Sequence, residues 1–309
     1  MGKRRRWFGT VLLGGFALPK IWTRTLMVTA ISVVVTIINQ RYVHVSLTPT
    51  PFVLLGLPLG IFLGFRNNTA YDRFWEARKL WGALVNTTRS LARQVLTLIE
   101  PQAGVTATPQ EVLDLERKIF HVLVAHVHAL RHRLRDTDPM DLMARTLPPD
   151  EVKRLEGEDN VPLALLHRLG ELFMEARRKK WIDAYHVPIV EQSLIGLTDI
   201  QGACERIKST PIPYSYTVLM HRIVAGYCTL LPFGLAETIG WATPVVVLGI
   251  SYTFFGLDAI GDEIEQPFGF DTNDLPIKAI ARNIEIELRK RIGDENIPEP
   301  IRPKKGVLC

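Results

Sequence analysis

The sequence is short of cysteine. Its three thiols, Cys204, Cys228 and Cys309, show no paired spacing, which argues against a disulfide framework. It has no alternating strand pattern and no internal repeat, and it carries no P-loop, nucleophile elbow or zinc signature. Clustered basic residues are also missing from the middle of the chain, where Lys/Arg and Asp/Glu nearly balance between Arg66 and Lys208. Without such a cluster there is no nucleic-acid surface. Charge is absent altogether from Thr25 to Gln40, from Tyr42 to Phe65 and from Ile239 to Leu257. A soluble chain interleaves charge with its core residues, so the average charged fraction of 22% conceals a segregated pattern.

The three charge-free stretches fall in three of four apolar runs, which are Thr25 to Ile38 (extended back by Ile21 and Trp22), Pro51 to Phe65, Tyr214 to Ala236, which holds Arg222, and Ile239 to Leu257. The first two fall short of the roughly 20 residues that cross a hydrocarbon core, but neighbouring helices can shield a short span. Basic residues flank the runs at Lys3 to Arg6, Lys20 and Arg24, at Arg66, Arg73, Arg78 and Lys79, and at Arg206 and Lys208. The loops Asn39 to Thr50 and the link at Glu237 are nearly free of them. The positive-inside rule then puts both termini and the middle block in the cytoplasm. Trp22 and Trp241 suit the two interfaces. No small-residue cleavage site follows the basic N-terminus, so it reads as a cytoplasmic flank rather than a signal peptide.

Between the paired runs the spacing predicts helices over Asn68 to Leu98, Glu111 to Leu134, Leu163 to Lys180 and Ile189 to Ile207. Proline and glycine mark the breaks at Pro101 to Pro109 and Pro148 to Pro149. Asp274, ahead of Leu275 and Pro276, reads as the N-cap of a helix over Ile277 to Ile292. Asp294 to Cys309 holds three prolines and reads as an extended tail.

The second run carries the most information. Gly56, Gly60 and Gly64 recur every fourth residue and make one smooth helix face for close approach by another helix. Beside it Leu57, Ile61 and Phe65 recur at the same interval. Copies packed through glycine around an axis would point these three inward as a hydrophobic constriction, which gates by dewetting. The alternative is a lipid-facing or core stripe within one subunit. At roughly 100° per residue, Asn68 and Asp72 continue the stripe, and Arg66 and Arg73 lie opposite. A ring of Asp72 carboxylates below the constriction would favour cations; the plainer alternative is a solvated aspartate.

The stretch Leu63-Gly64-Phe65-Arg66-Asn67-Asn68-Thr69-Ala70-Tyr71-Asp72-Arg73-Phe74-Trp75-Glu76-Ala77-Arg78 resembles the bacterial branch of the bestrophin family, as do Glu265-Gln266-Pro267-Phe268-Gly269 and Pro188-Ile189-Val190-Glu191-Gln192-Ser193-Leu194. The resemblance implies an all-α, polytopic homopentamer with four membrane helices per subunit, a helical cytoplasmic domain and one axial pore. It also implies an apolar neck at Leu57, Ile61 and Phe65 and a second constriction at Ile189. The implied organisation is an N-terminal flank and two membrane helices over 1–65, a cytoplasmic domain over 66–212, two membrane helices over 213–258, and a cytoplasmic helix and tail over 259–309. The implied setting is a bacterial inner membrane, where the partners are lipid, further copies of the chain and permeating monovalent ions. Animal members bind calcium after the Pro-Phe-Gly motif. Here only Asp271 and Asp274 match acidic positions and Gln266 replaces an Asn, so these three are the candidate metal residues, but calcium gating is not expected and no cofactor is assigned. Animal members conduct chloride, whereas Asp72 stands where they carry an uncharged residue, which leaves the sign of the ion open between chloride and sodium or potassium.

Other polar groups weigh less. His121, His128 and His132 share a helix face with Asp114, but three histidines over 11 residues span about 16 Å, too far to converge on one metal. His221 and Arg222 lie inside an apolar run, where ionisable groups are costly and often functional, and they suit the interface. Asp258, Asp262, Glu263 and Glu265 follow the last run, and acidic groups beside membrane helices occur in metal-dependent transferases. That is the enzyme alternative to a channel; no phosphate-binding motif accompanies it. A transporter would show more spans and inverted repeats.

Overall fold

A computed structural model describes residues 18–43, 47–303 and 308, with side chains from 21 onward. The basic residues Lys3 to Arg6, Cys309 and the side chain of Lys20 lie outside the described set. Among the described residues all regular structure is helical: α1 (Leu18–Arg41), α2 (Thr50–Leu98), α3 (Pro109–Leu134), α4 (Met140–Thr146), α5 (Pro149–Lys153), α6 (Val161–Arg178), α7 (Val187–Ser209), α8 (Tyr214–Ile239), α9 (Thr243–Glu265) and α10 (Ile277–Arg291). Three helical stretches are long and apolar enough to cross a membrane: Ile21–Arg41, Thr50–Leu98 and Tyr214–Glu265. The last comprises α8 and α9, separated by a 3-10 turn at Gly240–Ala242. Gly240 takes φ +53° there, a left-handed conformation that glycine adopts without steric cost.

The chain divides into two compact units, 1–75 with 211–267, and 76–210 with 268–309. In the first, α1 packs against α8 and α9, and α8 against α9. Ile21, Val28, Phe52, Leu59, Leu63, Met220, Val224, Cys228, Leu231, Val247 and Phe255 form its core. Close approach depends on two glycines. A Cβ on Gly234 would overlap the ring of Phe52, and one on Gly56 would lie 2.6 Å from the hydroxyl of Tyr227. Pro58 sits inside α2 and Pro232 inside α8; apolar helices tolerate proline where neighbours re-satisfy the freed backbone.

In the second unit α3 is the central helix, packed against α6, α7, α10 and α4. It is buried on nearly every side from Ile119 to Arg131, as a helix enclosed by others must be. Its start is fixed by a capping box. The Thr108 hydroxyl accepts from the Glu111 N–H, the Glu111 carboxylate accepts from the Thr108 N–H, and Pro109 occupies the first turn. The short helices α4 and α5 were not expected; each is under two turns, too brief to show a period. The N-cap reading of Asp274 is corrected. Pro276 holds that position with no side-chain cap, and Asp274 Oδ2 instead accepts from the Asp271 N–H at 2.7 Å. Two intervening residues put Asp274 out of reach of the helix amides, and its carboxylate closes its own turn.

Candidate functional site

Helix α2 has two faces between Thr50 and Trp75. One is filled by its own unit: Phe52, Leu59, Leu63, Arg66 and Ala70 are buried, with Gly56 against Tyr227. On the other, Leu57 is 72% exposed, Ile61 51% and Phe65 62%, and Asn68 and Asp72 continue the exposed side. The expected opposition of Arg66 to the Leu-Ile-Phe stripe is therefore present. The three glycines do not behave alike. Gly56 packs inside the unit, whereas nothing lies within 4 Å of a Cβ built on Gly60 or Gly64. Ile189, in the second unit, is 45% exposed near the start of α7.

The buried face of α2 leads to a charged cluster. The Arg66 side chain is fully buried. Its Nη1 donates to Asp258 Oδ1 at 2.7 Å, and its Nη2 to Asp262 Oδ1. His221 Nδ1 lies 2.8 Å from Asp258 Oδ2, and His221 Nε2 lies 3.6 Å from Asp262 Oδ2. Asp258 is buried, while Asp262 is 43% exposed and His221 34%. Residues 221 and 258 meet because α8 and α9 run antiparallel from the turn at Gly240–Ala242, which puts both about the same distance back from it. Asn67, next on α2, donates to the Leu257 carbonyl at 3.1 Å. A Cβ on Gly261 would overlap Asn67 Oδ1, so the bare backbone of α9 is what lets α2 approach. Further along, Arg73 Nε donates to the Glu265 carbonyl at 3.3 Å, and Glu265 Oε1 accepts from the Ile212 N–H at 2.9 Å. Thus Asp258, Asp262 and Glu265 hold helices together. Sequence reasoning put Arg66 on the hidden side of α2 and flagged both His221 and Asp258, but it did not join them.

The histidines of α3 do not converge. His121 pairs with Asp294 at 2.9 Å, His128 with Glu285 at 3.0 Å, and His132 with the Thr137 hydroxyl at 2.8 Å. His126, which the sequence reading passed over, is wholly buried; its Nδ1 lies 3.1 Å from the Pro162 carbonyl, and burial pulls its pKa down to about 4. Desolvation likewise lowers that of His132 to about 4, with the Arg131 charge adding to it. Glu285 collects His128, Arg282 and Arg289; burial opposes its charge, but these donors hold its carboxyl below the usual range. Among the described residues, the group of His, Cys, Asp and Glu whose ligand atoms come together in one place is His221, Asp258 and Asp262. Asp271 and Asp274 are not in such a group, and Gln266 is exposed at the end of α9.

The family model described as Bacterial/Fungal Bestrophin protein matches residues 1–290. A protein of Ralstonia nicotianae named as a voltage-dependent anion channel-forming protein is 40% identical over 307 residues, 98% of this chain and 97% of its own length. The Escherichia coli K12 protein YneE, named in the same way, is 35% identical over 301 residues, 97% of this chain and 93% of its own. A crystal structure of a bacterial bestrophin homologue from Klebsiella pneumoniae superposes with a TM-score of 0.82 at 35% identity, covering 89% of this chain and 100% of the other.

Proposed function

The chain belongs to the bacterial and fungal bestrophin family, and from that premise we propose that it forms a homopentameric channel for small monovalent ions in the bacterial inner membrane, with both termini cytoplasmic. The observation that carries the reading is the two-faced α2: three large apolar side chains stand exposed opposite a face that its own unit fills. Five copies around an axis turn Leu57, Ile61 and Phe65 into a neck and bring Gly60 and Gly64 against a neighbour. Such a neck admits ions only when it is wet. Asn68 and Asp72 follow below it, and Ile189 forms the cytoplasmic constriction.

The names of the relatives from Ralstonia and E. coli point to an anion; the exposed Asp72 on the pore side points to a cation. Reversal potential decides the sign, recorded from purified protein in planar bilayers under asymmetric NaCl. Reversal near the sodium potential assigns selectivity to Asp72. Reversal near the chloride potential makes Asp72 a solvated charge. Absence of current under every condition overturns the channel reading. The transferase alternative is set aside: the relatives are named as channel-forming proteins, and no phosphate-binding motif accompanies its carboxylates. Calcium is not invoked in this reading, in which the Asp274 carboxylate serves its own turn by accepting from the Asp271 N–H.

A further inference from the structure

The cluster on α9 has a property that ion pairing alone does not use. Arg66 takes one oxygen of each aspartate, Oδ1 of Asp258 and Oδ1 of Asp262, and leaves both Oδ2 atoms facing His221. A neutral imidazole leaves this group with one guanidinium against two carboxylates, a residual negative charge beside the buried Asp258. The ring is oriented as metal-bound histidines are. A carboxylate, Asp258 Oδ2, stands 2.8 Å from Nδ1 and fixes the proton there, which leaves the Nε2 lone pair free. Nε2 points to Asp262 Oδ2 at 3.6 Å. That is longer than a hydrogen bond and near the separation of two ligand atoms that each sit about 2.0–2.2 Å from one tetrahedral zinc ion. Ligand atoms of the three residues lie within 4.8 Å of one another. The partial exposure of Asp262 and His221 provides an entry path. Asn67 Oδ1, buried against Gly261 on the same helix as Asp262, has no hydrogen-bond partner.

We propose that His221 Nε2 and Asp262 Oδ2 bind a divalent transition metal of the zinc class, with Asp258 holding the ring, Arg66 holding both carboxylates, and water filling the remaining positions. The site ties α2, α8 and α9 together and stands apart from the exposed Leu57-Ile61-Phe65 face. It does not depend on the chain conducting ions, and its test is a binding measurement.

The test is calorimetric titration of zinc chloride alone into the full-length, chelator-stripped protein in detergent. The expected result is saturable binding at one zinc per chain. His221→Ala and Asp262→Asn each weaken it by about tenfold or more, while His167→Ala, at an exposed histidine already beside Glu171, leaves it unchanged. Asp258→Asn keeps an acceptor for the ring and retains zinc better than Asp258→Ala, a difference that mere loss of packing does not produce. Asp262 is half-exposed, so Asp262→Asn decides the matter if a variant at His221 or Asp258 fails to assemble. No saturable binding to the parent protein, or equal affinity in Asp262→Asn, overturns the proposal.

Discussion

Replacing Arg66 with alanine is the sharpest test of what holds the first unit together. The guanidinium is fully buried and bridges Asp258, 2% exposed, and Asp262, 43% exposed. The two halves of the bridge differ in worth. Asp262 keeps much of its hydration, and pairs of that kind contribute about 0–1 kcal/mol. Asp258 cannot rehydrate where it stands, and removing one partner of a buried pair costs about 3–5 kcal/mol because the other charge is left uncompensated. His221 Nδ1, 2.8 Å from Asp258 Oδ2, remains as a hydrogen-bond partner, so we expect the lower end, about 3 kcal/mol, or a melting temperature lower by about 10 °C. Asp262→Asn should cost under about 1 kcal/mol. The double variant Arg66→Met with Asp258→Leu should recover much of the loss, since an apolar replacement of a buried pair is often neutral. The assay is thermal unfolding of purified protein in detergent, with all four proteins side by side. If Arg66→Ala melts within about 2 °C of the parent, or if the double variant is worse than the single one, the buried pair is not what stabilises this unit.

Three further outcomes follow from the geometry. Leu57→Ala, Ile61→Ala and Phe65→Ala combined should widen and wet the neck and raise single-channel conductance in bilayers; unchanged currents would remove the stripe from the pore. His126 is held neutral in the folded protein, with a pKa near 4 against an ordinary 6.5. Between about pH 6.5 and 4 the unfolded chain therefore binds the extra proton, so stability falls as pH drops through that window, by up to about 3 kcal/mol; His126→Gln should flatten that part of a pH–stability profile measured by denaturant unfolding. Gly234→Ala must displace the Phe52 ring and should cost about 1–3 kcal/mol in thermal melts, whereas Gly64→Ala, with open space around it, should leave subunit stability alone and act on assembly, read by size-exclusion chromatography with light scattering.

What could be read in the sequence was whatever has a short period or lies between near neighbours. The apolar runs, the helical spacing of the middle block and the unbroken exit of α2 past Phe65 all repeat within one or two turns, and each reappears as a helix. The capping box of Thr108 and Glu111 is equally local, three residues apart, yet it went unread, and the helix was expected to begin only at Glu111. Features with no local signal were missed. Arg66 and Asp258 are 192 positions apart and His221 and Asp258 are 37 apart, so nothing in either neighbourhood marks them as partners. The hidden side of α2 was legible from angular position; the identity of what waits there was not. His126 was overlooked for a related reason. Its neighbours at 121, 128 and 132 attract notice as a polar face, while the one histidine off that face is the most deeply buried.

The Gly56-Gly60-Gly64 row shows where sequence and structure separate most usefully. By spacing the three are equivalent, yet one is occupied by Tyr227 of the same chain and two meet nothing. Beside the empty pair stand Leu57, Ile61 and Phe65. In water, burying each of these would be worth about 1.5–3 kcal/mol, and that alone would make the face adhesive. Among lipid tails the gain vanishes, because the tails are as apolar as the side chains. Hydrophobicity therefore cannot make this face choose a neighbouring helix over lipid. Close backbone approach can, and only Gly60 and Gly64 offer it. On this reasoning the glycines, more than the bulky trio, would bring α2 against its copies, and in the proposed pentamer the trio takes the position that the glycine contact leaves, facing the pore.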